Sequence, residues 1–156
     1  LPIDDEHGLY YFNWVQENIR KVNEATNGRA GYIHIPDMSL DGMNEFMKYF
    51  YPQMRKDALI IDVRGNGGGF ASPMIIERLR RVNAMVGFAR NSIGRPDPTA
   101  THIGPKVCLL DEFSASDGDI FPHRFAFMDS ASLSASVPGA ASWVSAVRCR
   151  CWTEAS

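Results

Sequence analysis

Ala58-Leu-Ile-Ile-Asp-Val-Arg-Gly-Asn-Gly-Gly-Gly-Phe70 is a short apolar, β-branched run that stops abruptly in a cluster of glycines. A run of this length bounded by turn residues reads as a strand buried on both faces, as in a parallel sheet covered by helices. Gly67, Gly68 and Gly69 remove every side chain from the backbone just past the strand, so a ligand or another backbone can approach it closely. Beyond them Ser72 can cap, and Pro73 can open, a helix whose apolar face is Ile75, Ile76, Leu79 and Val82. Strand, glycine turn and helix start together gather free N–H groups able to hold a negatively charged oxygen.

Two common glycine loops do not fit. A phosphate-binding loop ends in Gly-Lys-Ser/Thr, and a dinucleotide fingerprint requires glycine where Phe70 stands. The remaining candidate is the oxyanion of an acyl transfer, which requires a nucleophile elsewhere in the chain. Ser116 supplies one. It lies in Phe113-Ser-Ala-Ser-Asp-Gly-Asp-Ile-Phe121, directly after the apolar strand Lys106 to Asp111. This is a second strand-to-helix junction, with Ser114 or Ser116 at the cap and Asp117 and Asp119 in the first helical turn, where acids complement the helix dipole.

Gly-Tyr-Ile-His-Ile-Pro-Asp-Met at 31–38, Ile-Ile-Asp-Val-Arg-Gly-Asn-Gly-Gly-Gly-Phe at 60–70 and Ser-Asp-Gly-Asp-Ile-Phe at 116–121 occur in this order. The set resembles the protease core of tricorn and the tail-specific serine peptidases, over about residues 9–125. Three ordered motifs are far more specific than a single glycine loop. The resemblance implies a crotonase-like spiral of strand–helix units, incomplete at both ends, and peptide-bond hydrolysis through an acyl-enzyme on Ser116. It implies an oxyanion hole made by the Gly69 and Asp117 amides, with Gly67, Gly68 and Phe70 lining the substrate strand. It further implies peptide or unfolded-protein substrates, no cofactor, no metal, a homo-oligomer at full length and a cytoplasmic or periplasmic location. The family takes its general-base histidine from an upstream subdomain and an orienting glutamate from downstream. An acidic residue that selects basic side chains in some members matches Gly87 here, which speaks against a basic preference.

The rest of the chain suits an α/β domain. Leu9 to Asn23 reads as a helix with Trp14, Val15, Ile19 and Val22 on one face, ended by Asn27-Gly28. Tyr32 to Ile35 is a strand closed by Pro36. Asp37 to Asp41 then lead into a helix carrying Met43, Phe46, Met47 and Phe50 and limited by Pro52. A Gly, Pro and Asn-rich loop is expected from Asn91 to Pro105. The alternation of strands and helices is that of an α/β layer structure. With 156 residues, 45% hydrophobic and a formal charge of −2, the composition is that of one globular domain. It offers no basic run for nucleic acid and no apolar stretch long enough for a membrane span. Leu1 in place of an initiating Met suggests a further segment upstream, and three cysteines, two near the end, do not form a disulfide framework and point to a reducing compartment.

Composition changes after Phe125. Residues 126–156 hold seven Ala, seven Ser, two of the three Trp and two of the three Cys, without sustained period. Pro138 to Val144 can be encoded CCT GGG GCG GCG TCG TGG GTN, and a one-base shift reads WGGVVG, or TWGGVVG if the Val137 codon ends in A. The same shift over Arg148 to Ala155 permits VPLLDGG. Both strings resemble the segment downstream of the serine in tricorn-like proteases, so 1–125 reads as a partial peptidase core and 126–156 as an out-of-frame or disordered tail produced by a single-base deletion near Phe125.

Other chemistry-bearing residues have plainer readings. His123 lies seven residues after Ser116, about 10 Å along a helix, too far to take its proton directly. His34 in an apolar strand reads as a hydrogen-bonded core histidine, and Cys108 as a small buried hydrophobe. Asp117, Asp119 and His123 are explained by the helix dipole better than by a metal. Two rival functions share the same motifs. A crotonase-like enzyme would stabilise a thioester enolate and needs no serine at 116, and a non-catalytic remnant would bind peptides or only pack its glycine turn.

Overall fold

The computed structural model describes residues 6–128 and 131–135. Helix α1, His7–Thr26, is ended by Asn27 in the left-handed conformation (φ 52°, ψ 42°) followed by Gly28 at φ 75°, the stop that Asn-Gly encodes. Of its expected apolar face only Val15 is fully buried. Trp14 stays 42% exposed, with one side of its ring edge-on to His34 at 4.8 Å between centroids. Strand β1, Ala30–His34, is buried throughout.

Helix α2, Leu40–Gln53, starts at Ser39, whose hydroxyl accepts the Asp41 N–H at 3.3 Å. The Asp37 carboxylate accepts the Ser39 and Gly42 amides as well. Phe46 and Phe50 stack at 5.0 Å in the core, whereas Met47, expected beside them, is 45% exposed because it falls off that face. Pro52 occupies the last turn.

Strand β2, Ala58–Asp62, runs parallel to β1 and leads through the glycine turn to α3, Ser72–Leu79. Three expectations change here. Ala71, not Ser72, takes the cap position, since the Ser72 hydroxyl is drawn away to Asp117. Val82 lies beyond the helix and is exposed. The loop expected over 91–105 contains β4, Arg95–Asp97, which pairs antiparallel with β3, Met85–Gly87. Strands this short leave no periodic signal.

Strand β5, Lys106–Leu110, pairs parallel with β2, and α4, Asp117–Ala126, packs against α3. Phe121 and Phe125 of α4 are fully buried. Strand β6, Ala131–Ala135, pairs parallel with β5, giving a sheet of order β1-β2-β5-β6 in which every pairing is parallel. Most of the segment read as a tail lies outside the described residues. The part within them adds this fourth strand.

The free edge of β1 is closed by side chains. Gln53 Oε1 accepts the Tyr32 N–H at 3.0 Å and its Nε2 donates to Tyr32 O at 2.9 Å, so one amide takes the place of a neighbouring strand. Lys56 Nζ donates to the Gly28 and Ala30 carbonyls beside it.

Candidate active site

A parallel sheet delivers the carboxyl ends of its strands to one edge, where α/β proteins build their sites. Here that edge carries the loop after β1, the glycine turn after β2 and the loop after β5. Each junction is tied to its neighbour. Tyr32 Oη and the Arg64 guanidinium both donate to the fully buried Asp62 carboxylate, at 2.7 Å and 2.6 Å, fixing the base of the turn. Burial alone would raise the Asp62 carboxyl, but the bonds from Arg64 and Tyr32 outweigh it and hold the pKa below the usual range. Asp111 Oδ1 accepts the Gly65 and Phe113 amides, joining the β2 and β5 loops.

Asn66 is the hub. Fully buried, it donates from Nδ2 to Ile35 O (2.9 Å), accepts the Gly68 N–H at Oδ1 (2.9 Å) and accepts the Ala115 N–H at its backbone carbonyl (3.0 Å). One residue thus clamps all three loops.

The glycines differ in what they need. Gly68 (φ 95°) lies so close to the β5 loop that a Cβ would sit 2.7 Å from Ala115 O and 2.8 Å from Ser116 Cβ. Gly69 (φ 145°) lies against Met38, where a Cβ would meet the carbonyl oxygen at 2.1 Å. The Met38 N–H donates to Gly68 O, and the Phe70 and Ala71 amides donate to Met38 O. Because Gly68 C=O and Phe70 N–H turn toward Met38, the N–H of Gly69 between them turns the other way. Gly67 has ordinary φ, is exposed, and has nothing within 4 Å of a Cβ position. Phe70 projects its ring outward, 69% exposed.

Ser116 stands at φ 55°, ψ −124°, the helix-entry residue of α4, with its side chain exposed and making no cap hydrogen bond. A non-glycine residue in such a region costs about 1–3 kcal/mol and persists only where its surroundings over-determine it. The reading of Ser116 as a plain helix cap therefore loses its physical basis. Ser114, the other candidate, bonds Val63 O at 3.1 Å. Among the described residues the amides of Gly69 and Asp117 have no backbone acceptor. The amide of Asp117 is 3.1 Å from the point where a Gly68 Cβ would be, so the serine elbow, the Asp117 amide and the glycine turn meet.

Asp117 is buried. Its carboxylate accepts the Ser72 N–H at 3.0 Å and the Ser72 hydroxyl at 2.6 Å, while Arg124 Nη1 reaches both Asp117 Oδ1 (3.3 Å) and Ser72 Oγ. The acid expected to serve only the dipole of its own helix serves α3 as well.

No histidine joins this group through a hydrogen bond among the described residues. His34 is buried, with Nδ1 3.0 Å from Tyr11 Oη and Nε2 near Arg64 O, and burial pushes its imidazole pKa down. That matches a core histidine. His123 is exposed with its ring against Phe127. His102, in the loop before β5, is buried with Nδ1 3.1 Å from Met54 O. Cys108 is fully buried, and burial raises its thiol pKa far above the ordinary value.

Residues 29–133 match the family model described as Peptidase family S41. The chain belongs to that family. The family S41 chain is 42% identical over 125 residues to the tricorn protease of Thermoplasma acidophilum, covering 79% of this chain and 12% of the relative. A putative tricorn protease homolog of Streptomyces coelicolor is 37% identical over 127 residues, covering 80% and 11%. The crystal structure of the tricorn protease superposes with a TM-score of 0.79 at 40% identity, over 84% of this chain and 13% of that one. The S41 chain thus spans about an eighth of the length of these relatives.

Proposed function

We propose that this chain carries the nucleophile and oxyanion hole of a serine peptidase acting on oligopeptides. The observation that carries this reading is Ser116: exposed, strained to φ 55°, without a cap bond, and seated against the glycine turn. Ser116 Oγ attacks the carbonyl carbon of the scissile peptide and gives its proton to a general base. The carbonyl oxygen, now negative, is held by the Gly69 and Asp117 amides, an interaction worth on the order of 3 kcal/mol for one donor. Collapse expels the amine, which takes the proton, and leaves an ester on Ser116. Water then attacks that ester by the same route in reverse, regenerating Oγ–H and releasing the acid.

Gly67, Gly68 and Phe70 would flank the substrate. The general base and its orienting glutamate would come from parts of the protein outside residues 1–125, as the resemblance to tricorn implies, and the strand–helix units would belong to a crotonase-like spiral. Residues 126–156 are on this reading written out of frame, so the chain by itself is inactive.

The test is Ser116→Ala in the full-length protein. Peptide hydrolysis should fall to background while the melting temperature stays within a degree or two, because no bond of the hydroxyl is lost. Turnover within tenfold of the parent would sink the assignment. Covalent labelling of Ser116 by a serine-directed phosphonate would separate this reading from a thioester-enolate enzyme.

A further inference from the structure

The strain at Ser116 requires a grip on both sides of the elbow. On the upstream side Asn66 O holds the Ala115 N–H at 3.0 Å. Downstream, the neighbours Asp119 and Ile120 bond only the Ser116 carbonyl, at 3.0 Å and 3.2 Å, and belong to the same helix. Gly118 packs against Asn66, and among the described residues the hydrogen-bonded side-chain link from there to another element is the Asp117 carboxylate. It binds Ser72 through backbone and hydroxyl at once, and Arg124, two turns further along the same face of α4, closes the triangle.

Resting on the proposal that Ser116 is the nucleophile, we infer that Asp117 is a positioning residue: its carboxylate, locked by Ser72 and Arg124, sets the direction of its own backbone N–H toward the oxyanion. The amide and the carboxylate hang from one Cα, so anchoring the carboxylate on Ser72 limits how far that Cα, and the N–H bonded beside it, can shift. Ser72 and Arg124 act on the reaction without touching substrate. The network also binds the start of α3 to the start of α4. The glycine turn leads directly into α3, so the two proposed donors, Gly69 and Asp117, are held in one frame. An oxyanion hole requires its donors aimed beforehand, because donors that must reorganise during the reaction lose most of their effect.

Steady-state kinetics of the full-length protein with Asp117→Asn, Arg124→Gln, Arg124→Lys, Ser72→Ala and the pair Asp117→Asn/Arg124→Gln test this, with a fluorophosphonate titration counting competent sites. Asp117→Asn keeps the volume and an acceptor for the Ser72 N–H but loses the charge that Arg124 and the hydroxyl bind. It should lower kcat per titrated site about tenfold or more with KM within about twofold, the signature of a donor lost only in the transition state. Arg124→Gln should act in the same direction, Arg124→Lys should restore part of the rate, and the pair should be little worse than the poorer single variant, since the groups form one network. Ser72→Ala removes a single hydroxyl and keeps the test available if Asp117→Asn folds poorly. Variants that lose melting temperature or titratable sites but keep the parental kcat per site would show a merely structural tie and overturn the inference. If Ser116→Ala itself retains turnover, the nucleophile reading fails. If it is silent while Asp117→Asn keeps full kcat, only the positioning role fails.

Discussion

Ser116 occupies backbone territory that suits glycine, so its side chain is retained against the stability of the fold. Replacing it should reveal the tension. Glycine at 116 would relieve about 1–3 kcal/mol of strain and return roughly 0.5–1 kcal/mol through a more flexible unfolded chain. Ser116→Gly should therefore unfold at higher urea concentration than the parent, whereas Ser116→Ala, equally strained, should not differ from it. A destabilised glycine variant would mean that the φ of 55° carries no cost. The neighbouring glycines make a second contrast. Gly69→Ala drives a Cβ to 2.1 Å from the Met38 carbonyl oxygen at a φ of 145°, so the bridge to Met38 must open, with a loss of about 2 kcal/mol or more. Gly67→Ala meets nothing within 4 Å and should change stability by no more than about 0.5 kcal/mol in the same denaturation assay. If Gly67 flanks the substrate, its alanine variant should instead raise KM in the full-length protein. A branched residue at 69 would act through the fold and not by blocking substrate, because its Cβ points to Met38.

The glycine turn is rigid because elements far apart in sequence are tied to it, and the sheet ending in it needs a closed edge. Gln53 provides that closure at β1. Gln53→Met keeps the length of the side chain but leaves the Tyr32 N–H and C=O without their partner, at a cost of about 1–3 kcal/mol. The uncovered edge should also pair with other copies, so light scattering should rise with protein concentration in Gln53→Met and not in the parent. Much of this architecture is legible in the sequence. β2 and its turn announce themselves by an apolar β-branched run and consecutive glycines, α1 by its period and its Asn-Gly stop, and the Ser116 junction by small and acidic residues after a strand. The features that escape such reading depend on distance along the chain. Nothing local distinguishes Asn66, which bonds Ile35, 31 residues away, or tells that Ser72 will leave its own helix start for Asp117, 45 residues on. The β3–β4 hairpin escapes for another reason. Its strands are three residues each, too short to show alternation, and one of them is Arg-Pro-Asp, which has no apolar run.

At the scale of the whole molecule, the proposal that residues 126–156 are written out of frame makes predictions for the chain on either side of Phe125. Phe121 and Phe125 are fully buried, so α4 is anchored to the core up to Phe125. Strand β6 lies at Ala131–Ala135, in the place beside β5 where the sheet continues. Residues 129–137, Asp-Ser-Ala-Ser-Leu-Ser-Ala-Ser-Val, can be encoded GAC TCG GCA AGC TTG TCG GCA AGC GTA, and the one-base shift that yields WGGVVG then reads LGKLVGKRT immediately before it. With those codons one shift would write an apolar Leu-Val pair over β6 and a continuous string into the next segment, where the frame as translated writes mostly Ala and Ser. Three measurements should agree. The nucleic acid should carry codons compatible with LGKLVGKRTWGGVVG in the shifted frame. The 156-residue polypeptide should be poorly soluble and without peptidase activity. Restoring one base near the Phe125 codon should raise both its solubility and its melting temperature. Codons incompatible with those strings, or a restored frame that folds no better than the chain as given, would show that residues 126–156 are the protein's own.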